Sequence, residues 1–146
     1  MIKLLFFTLF HLMALPVIWL GNYNDAVKEA SASHKFIVVN FSGSDWCGPC
    51  IRLRKEILES AAFEDYAKEN LLLVRADFPR QKKNQLDKAQ VKRNEALAEQ
   101  FNPDGKFPFT LLVDEHGKVL KRWDGYPDVS PAQFVEEIKS AQKNSR

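Results

Sequence analysis

Two cysteines separated by two residues are the part of this sequence with the clearest chemistry. Cys47 and Cys50 are the only cysteines of the chain, and they stand in the string Trp46-Cys47-Gly48-Pro49-Cys50. This spacing lets the two thiols close a small disulfide ring across one helical turn. A thiolate of such a pair can attack a partner's disulfide, and closure of the ring then releases the reduced partner. The same steps in reverse oxidise a dithiol, so the chemistry alone leaves the direction open.

A strand and a helix are predicted on either side of the pair. Residues 36–41 are mostly apolar, with β-branched and aromatic side chains, which is typical of a buried strand. Residues 51–59 are helix formers, and Pro49 suits a first helical turn. Cys47 then precedes that turn, where unpaired N–H groups and the helix dipole lower the pKa of a thiol. Cys50 shares the buried stripe of the helix, so we expect Cys47 to attack and Cys50 to be the shielded resolving thiol.

Other uses of the pair fit the sequence less well. A zinc site needs two more ligands, and the histidines have no ligand-pair spacing: His11, His34 and His116. A c-type haem site needs a histidine after the second cysteine, where this chain has Ile51. A structural disulfide across so short a loop would constrain little of the unfolded chain, and it stays as an alternative. We expect no metal.

Length and charge indicate one globular domain, and an apolar leader indicates export. The 146 residues suffice for one core, and the net charge of +2 argues against a nucleic-acid partner. Residues 1–20 carry one lysine, at position 3, followed by an apolar run, which is typical of a secretory signal peptide, with cleavage expected near Ala14. An uncleaved membrane anchor and a buried core segment are the alternatives. The domain is then expected over residues 21–146, in the periplasm or envelope.

The rest of the chain alternates helices and strands. Strands are predicted at residues 71–76, 109–113 and 118–123, and helices at residues 24–32, 63–70 and 131 onward. Asn24 is expected to cap the first of these helices and Ser130 the last. This order predicts an α/β fold in which helices cover both faces of a mixed sheet.

A polar segment at residues 80–101 separates two of these strands. Residues 80–93 contain six Lys or Arg residues and one Asp, so their net charge is +5. A solvated helical insertion is the interpretation we favour, with its surest helical part at residues 94–100. A basic docking surface for an acidic partner is the alternative.

The cysteine string and two later motifs carry a family likeness. Together with Phe107-Pro108 at the start of a strand, the string resembles the thioredoxin superfamily. Residues 41–45 and Gly125-Tyr126-Pro127 make the chain similar to exported thioredoxin-like proteins of bacterial envelopes. The resemblance implies a thioredoxin-like fold and a redox-active Cys47–Cys50 disulfide without any cofactor.

The resemblance also implies how a substrate is held. Pro108 would be a cis-proline opposite the dithiol, and the Phe107 backbone would pair with an extended substrate segment. The other side chains of this apolar groove would be Trp46, Gly48, Pro49, Gly125 and Tyr126. Ordinary packing is the alternative for Trp46, Phe107 and Tyr126.

Two positions depart from the family pattern. Thioredoxins usually keep a buried acidic residue in the strand before the dithiol, where this chain has Asn40. Without that carboxylate, the proton of Cys50 must pass to water or to another group. Asp45 lies two positions before Cys47, and a nearby negative charge would raise the pKa of the Cys47 thiol.

The function expected from these residues is thiol–disulfide exchange with envelope proteins, as a reductase. The partners would be proteins that carry disulfides or dithiols, and a membrane dithiol relay would supply electrons. An oxidant or isomerase using the same residues is the near alternative. A non-enzymatic binding module is another, and the cysteine spacing argues against copper delivery.

Overall fold

The computed structural model describes residues 16–145. Within this range, five strands form one sheet and five α-helices pack against it. The strands are β1 (Trp19–Leu20), β2 (Phe36–Ser42), β3 (Leu71–Asp77), β4 (Phe109–Val113) and β5 (Val119–Asp124). The helices are α1 (Tyr23–Ser33), α2 (Gly48–Leu53), α3 (Ala61–Asn70), α4 (Lys88–Phe101) and α5 (Pro131–Lys143).

The sheet is mixed, and its central strand is β2. The strand order is β1-β3-β2-β4-β5. The pairs β1–β3 and β3–β2 are parallel, whereas β2–β4 and β4–β5 are antiparallel. The sequence's prediction of a mixed sheet between helices is confirmed.

Each face of the sheet carries its own apolar core. Alternate residues of β2 point to opposite faces, since side chains alternate along a strand. Val38 joins the core under α2, α3 and α5, and the inward residues of α5 are Phe134, Val135 and Ile138. Val39 joins the core under α1 and α4 with Ala26 and Leu97. The helices therefore form two layers around the sheet.

The helix starts follow capping chemistry. Ser130 caps α5 as predicted, and a reciprocal hydrogen bond from its own N–H to Gln133 completes a capping box. The prediction that Asn24 caps the first helix is wrong, because that helix starts one residue earlier. Asn22 is the cap, and its side chain accepts a hydrogen bond from the Asn24 N–H at 3.1 Å.

The helix that follows the cysteines widens in its second half. Residues Arg54–Leu58 continue α2 as a π-helical segment, in which the Glu59 N–H donates to the Arg54 carbonyl at 2.8 Å. Such segments occur often at functional sites. Ile57 and Leu58 remain fully buried in it, so the apolar stripe predicted for this helix is kept.

The polar segment contains a longer helix than its surest predicted part. Asp87 caps α4, which begins at Lys88 rather than near Asn94. Asn94 is buried, and its amide donates to the Asp77 carbonyl at 2.8 Å, which ties the helix to the end of β3. Leu97 supplies the main apolar contact. Residues 80–87 form a loop with one 3-10 turn at Lys82–Asn84.

The sheet also includes β1, which the sequence did not predict. Trp19 pairs with Leu73, and the Arg75 guanidinium lies 4.2 Å from the centre of the Trp19 ring. Trp19 and Leu20 were assigned to the leader from sequence. Residues 1–15 of that leader lie outside the described residues. None of the helices in residues 16–145 has the length and apolar character that crossing a bilayer requires.

Candidate redox-active site

Four strand ends meet at one edge of the sheet. Ser42 ends β2 beside Asp77, the last residue of the parallel strand β3. Phe109 starts the antiparallel strand β4 beside Phe41, and it also pairs with Asp124 at the end of β5. The loops at these ends therefore gather at the same edge, and the two cysteines lie at the start of α2, directly after the loop that leaves β2.

Cys47 and Cys50 form a disulfide, with their Cα atoms 5.2 Å apart. Cys47 is the N-cap of α2, and Pro49 lies in the first turn, as the sequence predicted. The Cys50 N–H donates to the Cys47 sulfur at 3.3 Å. One of the unpaired donors of the helix N-terminus is thus directed at Cys47, and such a donor favours the thiolate form.

Cys50 faces the interior. Its sulfur accepts a hydrogen bond from the Gly43 N–H at 3.5 Å, and Leu53 follows it on the buried stripe. The exposed fractions of Cys47 and Cys50 are close, at 5% and 3%. The difference between the two sulfurs in this oxidised form therefore lies in their hydrogen-bond donors rather than in their exposure.

The dipeptide between the cysteines forms the outer surface of the first turn of α2. Gly48 and Pro49 are both exposed, whereas the cysteines on either side are buried. A Cβ atom added at Gly48 would meet no atom within 4 Å. A partner that approaches the disulfide therefore has open space at Gly48.

Trp46 is held from several sides. Its indole N–H donates to the Phe78 carbonyl at 2.7 Å, and its ring meets Phe107 edge-on with centroids 5.5 Å apart. The Arg80 guanidinium lies 3.6 Å from the ring centroid. A Cβ atom added at Gly43 would come within 2.3 Å of the indole, so glycine is required there by the close approach of this ring. Trp46 is thus packed, and it also remains half-exposed beside Cys47.

Asp45 has its charge engaged by the loop after β3. Its carboxylate accepts hydrogen bonds from the Arg80 and Gln81 N–H groups, each at 2.9 Å, and from the Asn84 amide at 3.0 Å. These donors, first of all the Arg80 N–H, hold the pKa of Asp45 below its ordinary value. The sequence raised the concern that this charge disfavours the Cys47 thiolate. The structure shows a carboxylate whose negative charge is directed to the neighbouring loop.

Asn40, the other position that departs from the thioredoxin pattern, makes a neutral contact. Asn40 is buried on β2, and its amide donates to the Thr110 hydroxyl of β4 at 3.0 Å. Both side chains are thereby satisfied without any charge. The position that is acidic in thioredoxins therefore supplies no carboxylate here.

The Phe107–Pro108 peptide bond is cis, as the resemblance implies. Pro108 is buried directly before β4, and its carbonyl accepts the Gly125 N–H at 2.9 Å. Gly125 has a φ of +82°, which favours glycine at this turn. Phe107 also meets Phe78 edge-on, with centroids 5.4 Å apart. Contacts therefore run from Trp46 to Phe107, and from Pro108 to Gly125.

Tyr126 turns toward the redox helix. Its hydroxyl donates to Glu56 at 2.5 Å, and the Arg52 guanidinium lies 4.2 Å from its ring centroid. Arg52 also donates to Glu56 at 3.1 Å. The hydrogen bond from Arg52, followed by that from Tyr126, lowers the pKa of Glu56, and the bond to Glu56 raises the pKa of Tyr126. Tyr126 thus links the loop after β5 to the helix that carries Cys50.

Sequence reasoning missed several residues that shape the site. Gly43, Glu56, Phe78 and Arg80 were given no role there. A glycine directly after a buried strand is a signal for close approach of another group, which could have found Gly43. Arg80 lies 34 positions from Trp46, and no local pattern reports such a contact. Within residues 16–145, no group of three or more His, Cys, Asp or Glu residues could hold a metal ion.

Comparisons with known proteins agree with this geometry. Residues 23–142 match the family model described as a thioredoxin-like domain. "Disulfide bond reductase DsbH" of Chlamydia pneumoniae is 36% identical over 122 residues, which cover 84% of this chain and 71% of that protein. "Thioredoxin-related protein DsbJ" of the same organism is 34% identical over 62 residues, covering 42% of this chain and 18% of that protein.

Solved structures of thioredoxin-like proteins are similar to this chain as well. A structure named "DsbH Oxidoreductase" has a TM-score of 0.80 and 34% identity, covering 89% of this chain and 87% of that one. A thioredoxin from Thermus thermophilus has a TM-score of 0.63 at 17% identity, covering 88% of both chains, and so shares the fold. With a matching family model and a relative above 30% identity, this chain belongs to the thioredoxin-like domain family.

Proposed function

We propose that this protein is an envelope protein-disulfide reductase in which Cys47 attacks and Cys50 resolves. As a thioredoxin-like protein with a disulfide-forming Cys-X-X-Cys pair, it is a thiol–disulfide oxidoreductase. The observation that carries the assignment of roles is the contrast between the two sulfurs. Cys47 caps α2 and accepts the Cys50 N–H, whereas Cys50 lies on the inner side beneath the Gly43 N–H.

The reduction balances in two steps. The Cys47 thiolate attacks one sulfur of the partner's disulfide, so that a mixed disulfide forms and one partner thiolate leaves and takes up a proton. Cys50 then loses its proton and attacks the Cys47 sulfur, which releases the second partner thiolate. Two electrons have passed to the partner, and the protein is left with the Cys47–Cys50 disulfide.

The release of the Cys50 proton differs from the thioredoxin pattern. Asn40 cannot accept a proton, and its amide is already bonded to Thr110. We propose that water receives it. The rate of the second step should then rise with pH through the titration of Cys50, without a contribution from a buried carboxylate.

The direction of electron flow rests on two supports. The Gly48-Pro49 dipeptide resembles that of the reducing members of the superfamily, and the relative named a disulfide bond reductase is 36% identical. The Cys47–Cys50 disulfide of a reductase must be reduced again after each turnover, and we propose a membrane dithiol relay as the electron donor. The partners we propose are envelope proteins with disulfides, since disulfides persist in oxidising compartments.

Substrate contact is proposed for the surface around the disulfide. Trp46 and Phe107 form one side of it, and Gly48 and Pro49 form its exposed centre. Gly125 and Tyr126 lie beyond Pro108. We propose that an extended substrate segment crosses this surface beside the Phe107 backbone, and that export depends on the leader predicted at residues 1–20.

Trapping tests the assignment of the two cysteines. A Cys50→Ser variant keeps the attacking thiol, so it should accumulate mixed disulfides with substrate proteins through Cys47. The Cys47→Ser variant is the matched control and should form few adducts. Peptide mapping by mass spectrometry identifies the linked cysteine. Equal adduct formation by the two variants would contradict the assignment.

The reduction potential tests the direction. Equilibration with glutathione should give a value near that of thioredoxin, about −270 mV. A value near about −120 mV, typical of strong oxidants, would instead indicate that the protein oxidises its partners. A Cys47→Ser protein that retained full cellular function would indicate a non-enzymatic binding module.

A further inference from the structure

The loop after β3 gathers positive charge beside the disulfide. Residues 80–93 carry six Lys or Arg residues and one Asp. Arg80, Lys82 and Lys83 stand together at the start of this segment, and all three are exposed. We call these three residues the basic ledge. None of them forms an ion pair within the part of the chain that the structure describes.

Some other basic residues of the described chain do form ion pairs, although lysines without one also occur elsewhere, as at Lys118 and Lys143. Lys106 pairs with Asp124 at 2.6 Å, and Lys121 pairs with Glu137 at 3.2 Å. Other pairs join Lys68 to Asp65 and Lys139 to Glu136. Like charges that are close together repel one another, and a surface with no neutralising partner of its own can receive one from outside.

The position of the basic ledge is fixed relative to the cysteines. Asp45, two residues before Cys47, accepts hydrogen bonds from the backbone N–H groups of Arg80 and Gln81, each at 2.9 Å. The Gln81 side chain returns to the Asp45 carbonyl at 3.2 Å. Several hydrogen bonds therefore join the loop to the segment before the disulfide, and they hold the backbone of the basic ledge in place beside it.

Arg80 brings this charge next to the site. Its guanidinium lies 3.6 Å from the centroid of the Trp46 ring, and Trp46 directly precedes Cys47. A guanidinium stacked on an aromatic face keeps the N–H donors at its edge for carboxylates. The stacking thus orients Arg80 without consuming its charge.

We propose that the basic ledge docks acidic residues that flank the disulfide of a polypeptide substrate. This inference deepens the proposed function and rests on it. Substrate specificity would then combine the apolar surface at Trp46 and Phe107 with a charge preference on its Arg80 side. Complementary charge raises association rates by about 10- to 1,000-fold at low salt, and the effect declines as salt screens it.

Two disulfide-bonded peptides with identical rings test the preference. One carries glutamates beside the ring and the other carries glutamines. The dithiol form of the full chain should reduce the glutamate peptide at least about tenfold faster at low ionic strength, and about 0.5 M salt should remove most of the difference. Equal rates for the two peptides at low salt would overturn the inference.

Charge reversal identifies the residues responsible. Lys82→Glu/Lys83→Glu leaves the Arg80–Trp46 contact in place and should abolish the preference for the glutamate peptide. The matched control is Lys118→Glu/Lys143→Glu, which makes the same charge change at two exposed positions. Lys118 lies in the β4–β5 turn and Lys143 at the end of α5. A loss of preference in the control as large as in the ledge variant would contradict local docking.

Binding separates this inference from the proposed function. In a Cys47→Ser/Cys50→Ser protein, fluorescence anisotropy measures the affinity for the same two peptides with serines in place of their cysteines. Tighter binding of the glutamate peptide supports docking even if reduction fails, and equal binding overturns docking even if reduction proceeds. Reduction of the small neutral disulfide 2-hydroxyethyl disulfide should change less than about twofold in the ledge variant, because steering acts on charged partners.

Discussion

Gly43 is the position where one added methyl group should disturb the site most. A Cβ atom there would lie 2.3 Å from Cε2, 2.5 Å from Cζ2 and 2.7 Å from Nε1 of Trp46. The indole cannot rotate away freely, because Phe78 accepts its N–H and Phe107 packs against its ring. Gly43→Ala must therefore displace the tryptophan that directly precedes Cys47.

The size of the effect follows from the contacts that move. The hydrogen bond to the Phe78 carbonyl contributes about 0.5–1.5 kcal/mol to stability. The edge-on contact with Phe107 contributes about 0.5–1.5 kcal/mol beyond its buried area. Partial relaxation retains some of both, so we expect Gly43→Ala to lower the free energy of unfolding by about 2 kcal/mol. For a domain of this size that corresponds to a decrease in Tm of about 4–8 °C.

Thermal and urea unfolding of the oxidised protein measure this loss, and the indole N–H resonance of Trp46 reports the displaced ring. Gly48→Ala is the matched control, since its new methyl group would meet no atom within 4 Å. The control should keep the stability of the parent within about 1 kcal/mol, because Ala is the better helix former. The reasoning is refuted if Gly43→Ala is as stable as the parent protein and leaves the Trp46 resonance unchanged.

Three further predictions concern polar contacts near the disulfide. Asn40→Asp places a carboxyl group in the buried position of Asn40, and burial raises the pKa of such a group. The substitution should therefore destabilise the fold by about 1–3 kcal/mol at neutral pH. Urea unfolding should show that this loss of stability disappears when the pH falls below the ordinary pKa of an Asp side chain. Tyr126→Phe removes a donor to Glu56, so NMR titration should show the pKa of Glu56 rising toward its ordinary value. The pKa of Asp45 is lowered by its hydrogen bonds to the loop after β3. The stability that its carboxylate provides is therefore present above the unfolded-state pKa and is lost as the pH falls through the folded-state pKa. Asp45→Ala should raise amide hydrogen exchange in residues 80–84, and unchanged protection would count against the loop contact.

The sequence predicted well those features that depend on neighbouring residues. The strand at Phe109–Val113 has the predicted ends, because five apolar or β-branched residues follow a proline and precede a turn. The cap at Ser130 and the start of α2 at Cys47 rest on residue types with strong positional preferences. The thioredoxin-like fold is what the resemblance carried by the cysteine string and the later motifs implies, and the comparisons confirm it.

Features that depend on distant contacts could not be predicted. Trp19 and Leu20 read as part of an apolar leader, since two residues are too few to show a strand pattern. Their place in the sheet depends on pairing with β3 and on the Arg75 contact. The sequence predicts a solvated insertion for the basic segment. The charges of that segment do not indicate the contact between Arg80 and the Trp46 ring. These relations exist only once the chain has folded.

Competitive alkylation of the reduced protein tests the central claim, that the helix N-terminus activates Cys47 while Cys50 is held back. A hydrogen bond to a charged group contributes about 1.5–3 kcal/mol, which corresponds to about tenfold or more in the thiolate population. With limiting iodoacetamide at neutral pH, mass spectrometry should find Cys47 modified at least about tenfold faster than Cys50. Equal and slow modification of both cysteines, at the rate of an ordinary free thiol, would contradict the account.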